Sequence, residues 1–248
     1  MRFFVERLAL VAGIASAQGI QCTDGLKMFL ARGTTEPLGT GLMTTITRQI
    51  EQLIPGSTTD DIPYPATLFE PTYFVSVLNG STLLQEAVSE YAAACPDGKM
   101  ALMGYSQGAQ VVGNAICGAG YAWSAGTILP LIPGAPPITE PLPLTFPPLP
   151  TNVTENVVAV IFFGDPTRQP GASWNRGSAS PKNRGGFNRD DSIIQYCERY
   201  GPRMRSYCDD GDSVCDDGTV SRPEPHISYV QNYGDEVVEH LVAQYNSH

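Results

Sequence analysis

The sequence predicts an α/β fold in which helices cover both faces of a central parallel sheet. Apolar runs of strand length alternate with segments of helical periodicity, as in sheets built from strands and crossover helices. The run Val157 to Phe163 is apolar at every position, which indicates a central strand covered on both faces. Lys99 to Tyr105 and Gln107 to Ile116 predict a strand and a helix with only Ser106 between them.

The remaining elements follow along the chain. Leu26 to Leu30 predicts the first strand, and helices are predicted over Thr82 to Ala94 and from about Asp235 to Tyr245. A further helix is indicated by apolar residues at helical spacing: Leu42, Ile46, Ile50, Leu53 and Ile54. The inward face of the last helix is expected to consist of Val237, Val238, Leu241 and Val242. Together these elements predict a three-layer sandwich with the sheet in the middle.

Two stretches interrupt this alternation. Residues 129–150 hold nine prolines interleaved with apolar residues, which favours an extended insertion loop on the surface over a helix or a central strand. Residues 168–189 are rich in Gly and Ser and carry five basic side chains in an acidic chain. We expect a solvated loop there, with an anion-binding site as the alternative.

The motif Gly104-Tyr-Ser-Gln-Gly108 is the strongest chemical signal in the chain. Its position between a strand and a helix is that of a nucleophile elbow, whose sharp turn lifts the serine hydroxyl clear of the sheet. Ser106 is therefore the predicted nucleophile. The alternative is a chance match in a Gly-rich chain, with Ser106 capping a helix.

A serine hydroxyl needs an imidazole to accept its proton, and the chain offers three histidines. His248 is the terminal residue, and His240 lies in an amphipathic helix where a position on the surface or at its edge is expected. His226, in a proline-flanked loop, is therefore the predicted base.

The imidazole must in turn be held by a carboxylate. In α/β-hydrolases this acid lies between the serine and the histidine in chain order, which leaves Asp165 and Asp212 as the serious candidates. Asp165 ends the central strand but precedes a proline, as ordinary turn residues do. Asp212 is preferred, because a short disulfide ring between Cys208 and Cys215 would restrain the loop that carries it.

Composition excludes several partners and cofactors. The formal net charge of −10 disfavours nucleic acid and anionic membranes, so a neutral substrate is expected. Six cysteines form an even set, for which three disulfides are the natural arrangement. The chain has no C-x-x-C pair and only three histidines, so neither a structural zinc site nor any other metal or cofactor is expected.

The first 17 residues predict a signal peptide. They combine Arg2 and Arg7 with an apolar stretch and the small-residue site Ala15-Ser-Ala17. No later segment is long and apolar enough to span a bilayer, so we expect a secreted protein whose residues 18–248 form a single domain without stable membrane insertion. Asn79 and Asn152 begin sequons for N-glycosylation.

Five segments occur in the order found in the cutinase-like serine esterases, a family that includes a class of acetylxylan esterases. They are Ala31-Arg-Gly-Thr-Thr-Glu36, Gly104-Tyr-Ser-Gln-Gly108, Gly164-Asp-Pro166, Cys208 to Cys215, and Pro225-His226. The resemblance covers nearly all of the chain after the leader. It implies a catalytic triad of Ser106, Asp212 and His226, with the Gly164-Asp165-Pro166 segment structural.

The same resemblance implies further features of the site. The oxyanion hole would be formed at Thr34 and by the backbone N–H of Gln107, which opens a helix and points at developing negative charge. The pairs Cys22–Cys95 and Cys208–Cys215 follow from the family, and Cys117 and Cys197 remain for a third. A Cys-Gly pair after the nucleophile helix, here Cys117-Gly118, resembles the acetylxylan branch.

The expected activity is hydrolysis of short-chain esters on plant cell-wall polymers, acetylated xylan first and cutin second, by a monomer. The polar loop Asp217 to Pro225 favours acetyl groups, whereas Leu68, Phe69, Phe74 and the proline-rich insertion could supply apolar contact. The alternative of another class is a wall-binding or surface-acting protein that keeps the fold without turnover. A protease is disfavoured because nothing in the chain resembles an extended peptide groove.

Overall fold

The computed structural model describes residues 19–39, 41–120, 145–187, 189, 191–216 and 223–248. Within these residues the main sheet has six strands, which are β1 (Lys27–Ala31), β2 (Thr58–Asp61), β3 (Met100–Tyr105), β6 (Val157–Phe163), β7 (Asn175–Arg176) and β8 (Met204–Tyr207). A separate antiparallel pair consists of β4 (Ala119–Gly120) and β5 (Thr145–Phe146). The main sheet has the order β2-β1-β3-β6-β8-β7, with all neighbours parallel.

The described helices are α1 (Thr44–Leu53), α2 (Tyr73–Ala94), α3 (Gln107–Cys117), α4 (Thr151–Thr154), α5 (Asp191–Glu198), α6 (Pro223–Ile227) and α7 (Tyr229–Ser247), with short 3-10 helices at Gly41–Met43 and Gly201–Arg203. They form two layers. Helices α2 and α3 pack together on one face of the sheet, and α1 and α7 pack together on the other.

Side-chain alternation along the strands supplies both cores. In β1, Phe29 and Ala31 belong to the core beneath α2 and α3, whereas Met28 and Leu30 belong to the core beneath α1 and α7. All seven residues of β6 are buried, as its unbroken apolar sequence predicts. The expected α/β sandwich with a central parallel sheet is therefore confirmed.

Helix α2 begins at Tyr73, well before the predicted start at Thr82. The intervening Asn79-Gly80-Ser81 has poor helix propensity, so sequence periodicity hides this part of the helix. Tertiary packing stabilises the helix here despite this propensity. A Cβ at Gly80 would come within 2.8 Å of both Tyr64 and Val111, so only a glycine fits at this contact. The glycine thus lets the helix approach its neighbours closely.

Several smaller expectations are corrected. Leu42 and Leu53 are exposed, because the buried stripe of α1 consists of Ile46, Thr47 and Ile50. His240 is buried rather than on the surface, and its Nε2 lies 3.1 Å from the carbonyl oxygen of Arg203. In the proline-rich insertion, Leu149 is buried and its N–H donates to the carbonyl of Ala115, so this end packs against α3.

The predicted leader, most of the proline-rich insertion and Asp217 to Arg222 of the loop before His226 lie outside the described residues. None of the described helices combines the length and apolar character that crossing a membrane requires. Because parallel strands end at the same edge of a sheet, the segments that follow β1, β3, β6 and β8 meet there. These segments carry Thr34, Ser106, Asp165 and Asp212.

Candidate active site

Ser106 occupies a strained turn between β3 and α3. Its φ of 53° and ψ of −116° lie outside the ordinary regions for a residue with a side chain. The N–H of Ser106 donates to the carbonyl of Phe163 at 2.8 Å, which ties the turn to the neighbouring strand. A Cβ at Gly104 would overlap the backbone of Gly108 and Ala109, and one at Gly108 would overlap the carbonyl of Ala31. Both motif glycines are thus sterically required.

The structure brings Ser106, His226 and Asp212 into one hydrogen-bonded line. Ser106 Oγ lies 2.9 Å from His226 Nε2, and His226 Nδ1 lies 2.8 Å from Asp212 Oδ2. An ionised carboxylate can only accept a hydrogen bond, so the imidazole carries its proton on Nδ1. The unprotonated Nε2 then faces the serine hydroxyl and can take its proton.

Asp212 is fully buried and yet favours its charged form. Burial by itself would raise the pKa of this carboxyl, but the hydrogen bond and charge of His226 act against burial. The Tyr229 hydroxyl at 2.5 Å from Oδ2 and the Val214 N–H at 2.8 Å from Oδ1 add to that effect. The net result is a pKa below the ordinary 3.8. Asp212 is therefore ionised at neutral pH.

The loop that carries Asp212 is a disulfide ring fixed from two sides. Cys208 and Cys215 are bonded across a sequence separation of 7. From α7, the Tyr233 hydroxyl donates to Asp209 Oδ1 at 2.5 Å. From the segment after β6, the N–H of Gly186 donates to the carbonyl of Val214 at 3.0 Å. These contacts restrain the ring on either side of Asp212.

His226 rests against residues that sequence reasoning did not assign to the site. Gly164, directly after β6, has a φ of 58°, and a Cβ there would lie 2.7 Å from His226 Cε1 and 2.8 Å from Nδ1. The hydroxyl of Tyr105 donates to the carbonyl of His226, and the two rings meet edge to face. The glycine signal was present in Gly164-Asp-Pro166, but its contact with His226 is not visible in the sequence.

Gln107 and Thr34 lie together beside the nucleophile. Gln107 is fully buried, and its Nε2 donates to Thr34 Oγ1 at 3.3 Å and to the carbonyl of Thr67 at 2.9 Å. Its Oε1 accepts from Ser76 Oγ at 2.8 Å. The backbone N–H of Gln107 opens α3, where helix geometry leaves it without an acceptor inside the helix. This N–H is therefore free to donate to an oxyanion.

The loop that carries Thr34 is clamped by Arg32 and Glu36. Arg32 is buried, and its guanidinium donates to the carbonyl of Glu36 at 2.8 Å and to that of Tyr64 at 2.6 Å. The Glu36 carboxylate accepts the N–H of Gly33 at 2.7 Å. These bonds hold the backbone on both sides of Thr34, as a preorganised oxyanion donor requires.

Asp165, the alternative acid, is turned away from this line. Its Oδ1 accepts the N–H of Thr167 at 2.8 Å and the Thr167 hydroxyl at 2.7 Å, as in an Asx turn. Burial raises the pKa of Asp165, although the charge of Arg189 and the bonds from Thr167 oppose that rise. Its contacts are those of a structural residue.

Two arginines of the 168–189 loop correct the expectation of a solvated loop. Arg168 and Arg189 are 3% and 5% exposed. Arg168 donates to the carbonyls of Ser180 and Asn183, and Arg189 donates to Asn114 Oδ1 at 3.1 Å. Both guanidinium groups are therefore buried and bonded inside the protein, where they stabilise the conformation of the loop.

The six cysteines are bonded as Cys22–Cys95, Cys117–Cys197 and Cys208–Cys215. Both sequon asparagines, Asn79 and Asn152, are exposed, while the hydroxyl residues of the sequons, Ser81 and Thr154, are buried. In the described part of the chain, no three His, Cys, Asp or Glu side chains gather closely enough to hold a metal ion.

A parallel sheet with a strained serine turn after its central strand, and an Asp–His–Ser line at its carboxyl edge, defines the α/β-hydrolase class. Comparison with known proteins narrows this class. A family model described as Cutinase matches residues 21–245. The chain therefore belongs to the cutinase family.

Named relatives agree with this assignment. An acetylxylan esterase of Hypocrea jecorina is 32% identical over 92% of this chain and 69% of its own length. Cutinase 11 of Verticillium dahliae is 30% identical over 97% of this chain and 76% of its own length. A solved acetylxylan esterase structure superposes with a TM-score of 0.69 at 27% identity, over 91% of this chain and all of that one. The protein is a carboxylic ester hydrolase.

Proposed function

We propose that this chain is a secreted serine esterase that removes short acyl groups from plant cell-wall polymers, with acetylated xylan as its preferred substrate. The observation that carries the proposal is the line from Ser106 Oγ through His226 to Asp212, with hydrogen bonds of 2.9 Å and 2.8 Å. In this proposal Ser106 is the nucleophile, His226 the base and Asp212 the acid. The acid role goes to Asp212 because Asp165 makes its contacts elsewhere.

The chemistry follows from these positions. Ser106 Oγ attacks the ester carbonyl while its proton passes to His226 Nε2, and Asp212 stabilises the imidazolium that forms. The backbone N–H of Gln107 and the Thr34 position receive the oxyanion of the tetrahedral intermediate. His226 then gives its proton to the departing alcohol, which leaves an acyl-enzyme. Water, deprotonated by the same imidazole, releases the acid and restores Ser106.

Two kinds of observation support the acetyl preference. Acetylxylan esterases are among the named relatives and the superposed structures, at identities of about 30%. The segment before His226, Asp217 to Pro225, is polar in sequence. A long acyl chain gains about 0.8 kcal/mol for each buried CH₂ only where a continuous apolar wall receives it.

A cutin polyester is the second candidate substrate, and exposed apolar side chains favour it. Ile227 directly follows the catalytic histidine and is 60% exposed, while Phe69, two residues after Thr67, is 47% exposed. Large exposed apolar groups beside a site suit a waxy or polyester surface. The name of a relative at 30% identity, Cutinase 11 of Verticillium dahliae, also supports this candidate.

We also infer export by the leader at residues 1–17 and a single monomeric domain over residues 18–248. Three disulfides in the described residues suit an oxidising compartment. The exposed Asn79 and Asn152 are the proposed glycosylation sites.

The test is an acyl-length series with a polymer assay beside it. Rates on p-nitrophenyl esters from acetate to palmitate should peak at acetate or butyrate, and acetylated xylan should release acetate. The Ser106→Ala variant, folded by circular dichroism, should lose both activities by about 10⁴-fold or more. An optimum at octanoate or longer, with no acetate from xylan, would reverse the order of the two substrates. Full activity of Ser106→Ala would refute the proposed nucleophile.

A further inference from the structure

The hydroxyl of Tyr229 binds the same carboxylate oxygen as the imidazole of His226. It lies 2.5 Å from Asp212 Oδ2, while His226 Nδ1 lies 2.8 Å from that atom. Tyr229 is fully buried at the start of α7, three residues after the histidine. The ionised carboxylate has no proton to offer, so the phenol must be the donor. Asp212 Oδ2 is therefore shared between two donors.

We propose that Tyr229 is a positioning residue that orients Asp212 and limits how strongly Asp212 holds the protonated His226, thereby setting the lowest pH at which the enzyme works. This inference rests on the proposed function of the same three residues. Tyr229 itself touches neither Ser106 nor the ester in this role.

The physical basis is competition for charge on one oxygen. A short hydrogen bond from the phenol disperses the negative charge of Asp212 Oδ2. Less charge then remains to stabilise an imidazolium at Nδ1, so His226 gives up its proton at a lower pH. Without the phenol the carboxylate would hold the imidazolium more strongly, and the active, neutral imidazole would appear only at higher pH.

The phenol is fixed and stays protonated throughout the working range. Its oxygen accepts the N–H of Asp209 at 3.1 Å and lies 3.4 Å from Cys215 Sγ. Burial, followed by the charge and hydrogen bond of Asp212, raises the pKa of Tyr229 far above its usual value of 10. The proton on the phenol is consequently a permanent part of the site.

Several elements bring titratable or charged groups close to Asp212 or Tyr229. They are His226 from α6, Tyr229 and Tyr233 from α7, Asp209 and Asp216 from the disulfide ring, Arg168 from the loop after β6, and Tyr105 from β3. Of these, His226 and Tyr229 donate hydrogen bonds to the carboxylate of Asp212.

Tyr233 supplies a matched control. It lies one turn further along α7, and its hydroxyl donates to Asp209 Oδ1 at 2.5 Å in the same disulfide ring. Tyr233→Phe removes an equally short hydrogen bond from the same loop, but this bond does not reach Asp212. A purely structural role for Tyr229 predicts that Tyr229→Phe and Tyr233→Phe behave alike.

The experiment measures kcat and KM for p-nitrophenyl acetate from pH 4 to 9 in the full chain and both variants. In Tyr229→Phe, the acid-limb midpoint of kcat/KM should rise by about 0.5 to 1 pH unit, and the plateau kcat should fall several-fold with KM unchanged. Tyr233→Phe should keep the wild-type midpoint. Coincident acid limbs in the wild type and Tyr229→Phe would overturn the proposal, as would an equal shift in Tyr233→Phe.

A second variant keeps the shape of the side chain and should shift the acid-limb midpoint of kcat/KM in the opposite direction. Replacing Tyr229 by 2,3-difluorotyrosine makes the phenol a stronger donor, so the acid limb should move to lower pH. A shift in the same direction as Tyr229→Phe would overturn the proposal. If Tyr229→Phe does not fold, the 2,3-difluorotyrosine variant still tests the proposal.

The pH dependence of Ser106 labelling by a p-nitrophenyl phosphonate separates this proposal from the proposed function. In that reaction Ser106 Oγ bonds to phosphorus, p-nitrophenolate leaves, and the serine proton passes to His226. Labelling should show the same acid-limb shifts whichever ester is the natural substrate. No labelling of the wild type at any pH would refute the proposed nucleophile instead.

Discussion

Replacing Gly164 by Ala tests whether the placement of His226 depends on this glycine. The new Cβ would lie 2.7 Å from His226 Cε1, whereas ordinary contacts with a Cβ begin at 3.4 Å. The imidazole must therefore retreat by about 0.7 Å. The bond between His226 Nε2 and Ser106 Oγ, now 2.9 Å, would then approach the limit of about 3.5 Å for a useful hydrogen bond.

The expected loss is large and specific to catalysis. A displacement of about 1 Å in a catalytic group costs about a hundredfold in rate. We expect kcat/KM for p-nitrophenyl acetate to fall by about 10² in Gly164→Ala. A Cβ at the left-handed φ of 58° costs about 1–2 kcal/mol of stability in addition.

Gly171→Ala is the matched control. Gly171 has a comparable φ of 68°, but no atom lies within 4 Å of the position that its Cβ would take. This variant should show the same loss of about 1–2 kcal/mol in the free energy of unfolding, measured by urea denaturation, with wild-type kcat/KM. Wild-type activity in Gly164→Ala, or an equal loss of activity in Gly171→Ala, would refute the reasoning.

Three further predictions concern the acid and its loop. Asp212→Asn should lower kcat by about 10⁴ in a folded protein, whereas Asp165→Asn should keep kcat near wild type, and the reverse order would reassign the acid. Because the pKa of Asp165 is raised in the fold, ionisation destabilises the native wild type as pH rises, so the melting temperature of Asp165→Asn relative to wild type should increase from pH 4 to pH 8. If the difference in melting temperature between Asp165→Asn and the wild type does not change with pH, the ionisation of Asp165 does not destabilise the fold. Replacing Cys208 and Cys215 by Ser should reduce kcat more than it reduces the melting temperature, and replacing Cys22 and Cys95 by Ser should do the opposite. The reason is chain entropy: the Cys22–Cys95 bond closes a separation of 73 residues and the Cys208–Cys215 bond one of 7, a difference worth roughly 2 kcal/mol. Similar behaviour of the two double variants would contradict this distinction.

Local sequence determined the fold class and the nucleophile turn. The unbroken apolar run of β6 specifies a central strand by itself, because each of its residues must leave water. The glycines on either side of Ser106 are equally local signals, since the elbow leaves no room for a Cβ at Gly104 or Gly108. Short strands were missed: β8 has only four residues, and its identity as a strand depends on pairing with β6.

The arrangement around the triad was decided by tertiary structure. Gly164 meets His226 because the packed chain brings the histidine of α6 against the residue that directly follows β6. In the sequence, Tyr229 is not distinguished from the other residues of an amphipathic helix. In the fold, the start of α7 packs against the disulfide ring, and the Tyr229 hydroxyl donates to Asp212. Likewise Arg168 is basic in a polar loop, and only the folded loop surrounds it with carbonyls. Periodicity and local sterics act over a few residues, whereas a buried polar group is satisfied by whichever partner the packed chain brings within about 3 Å.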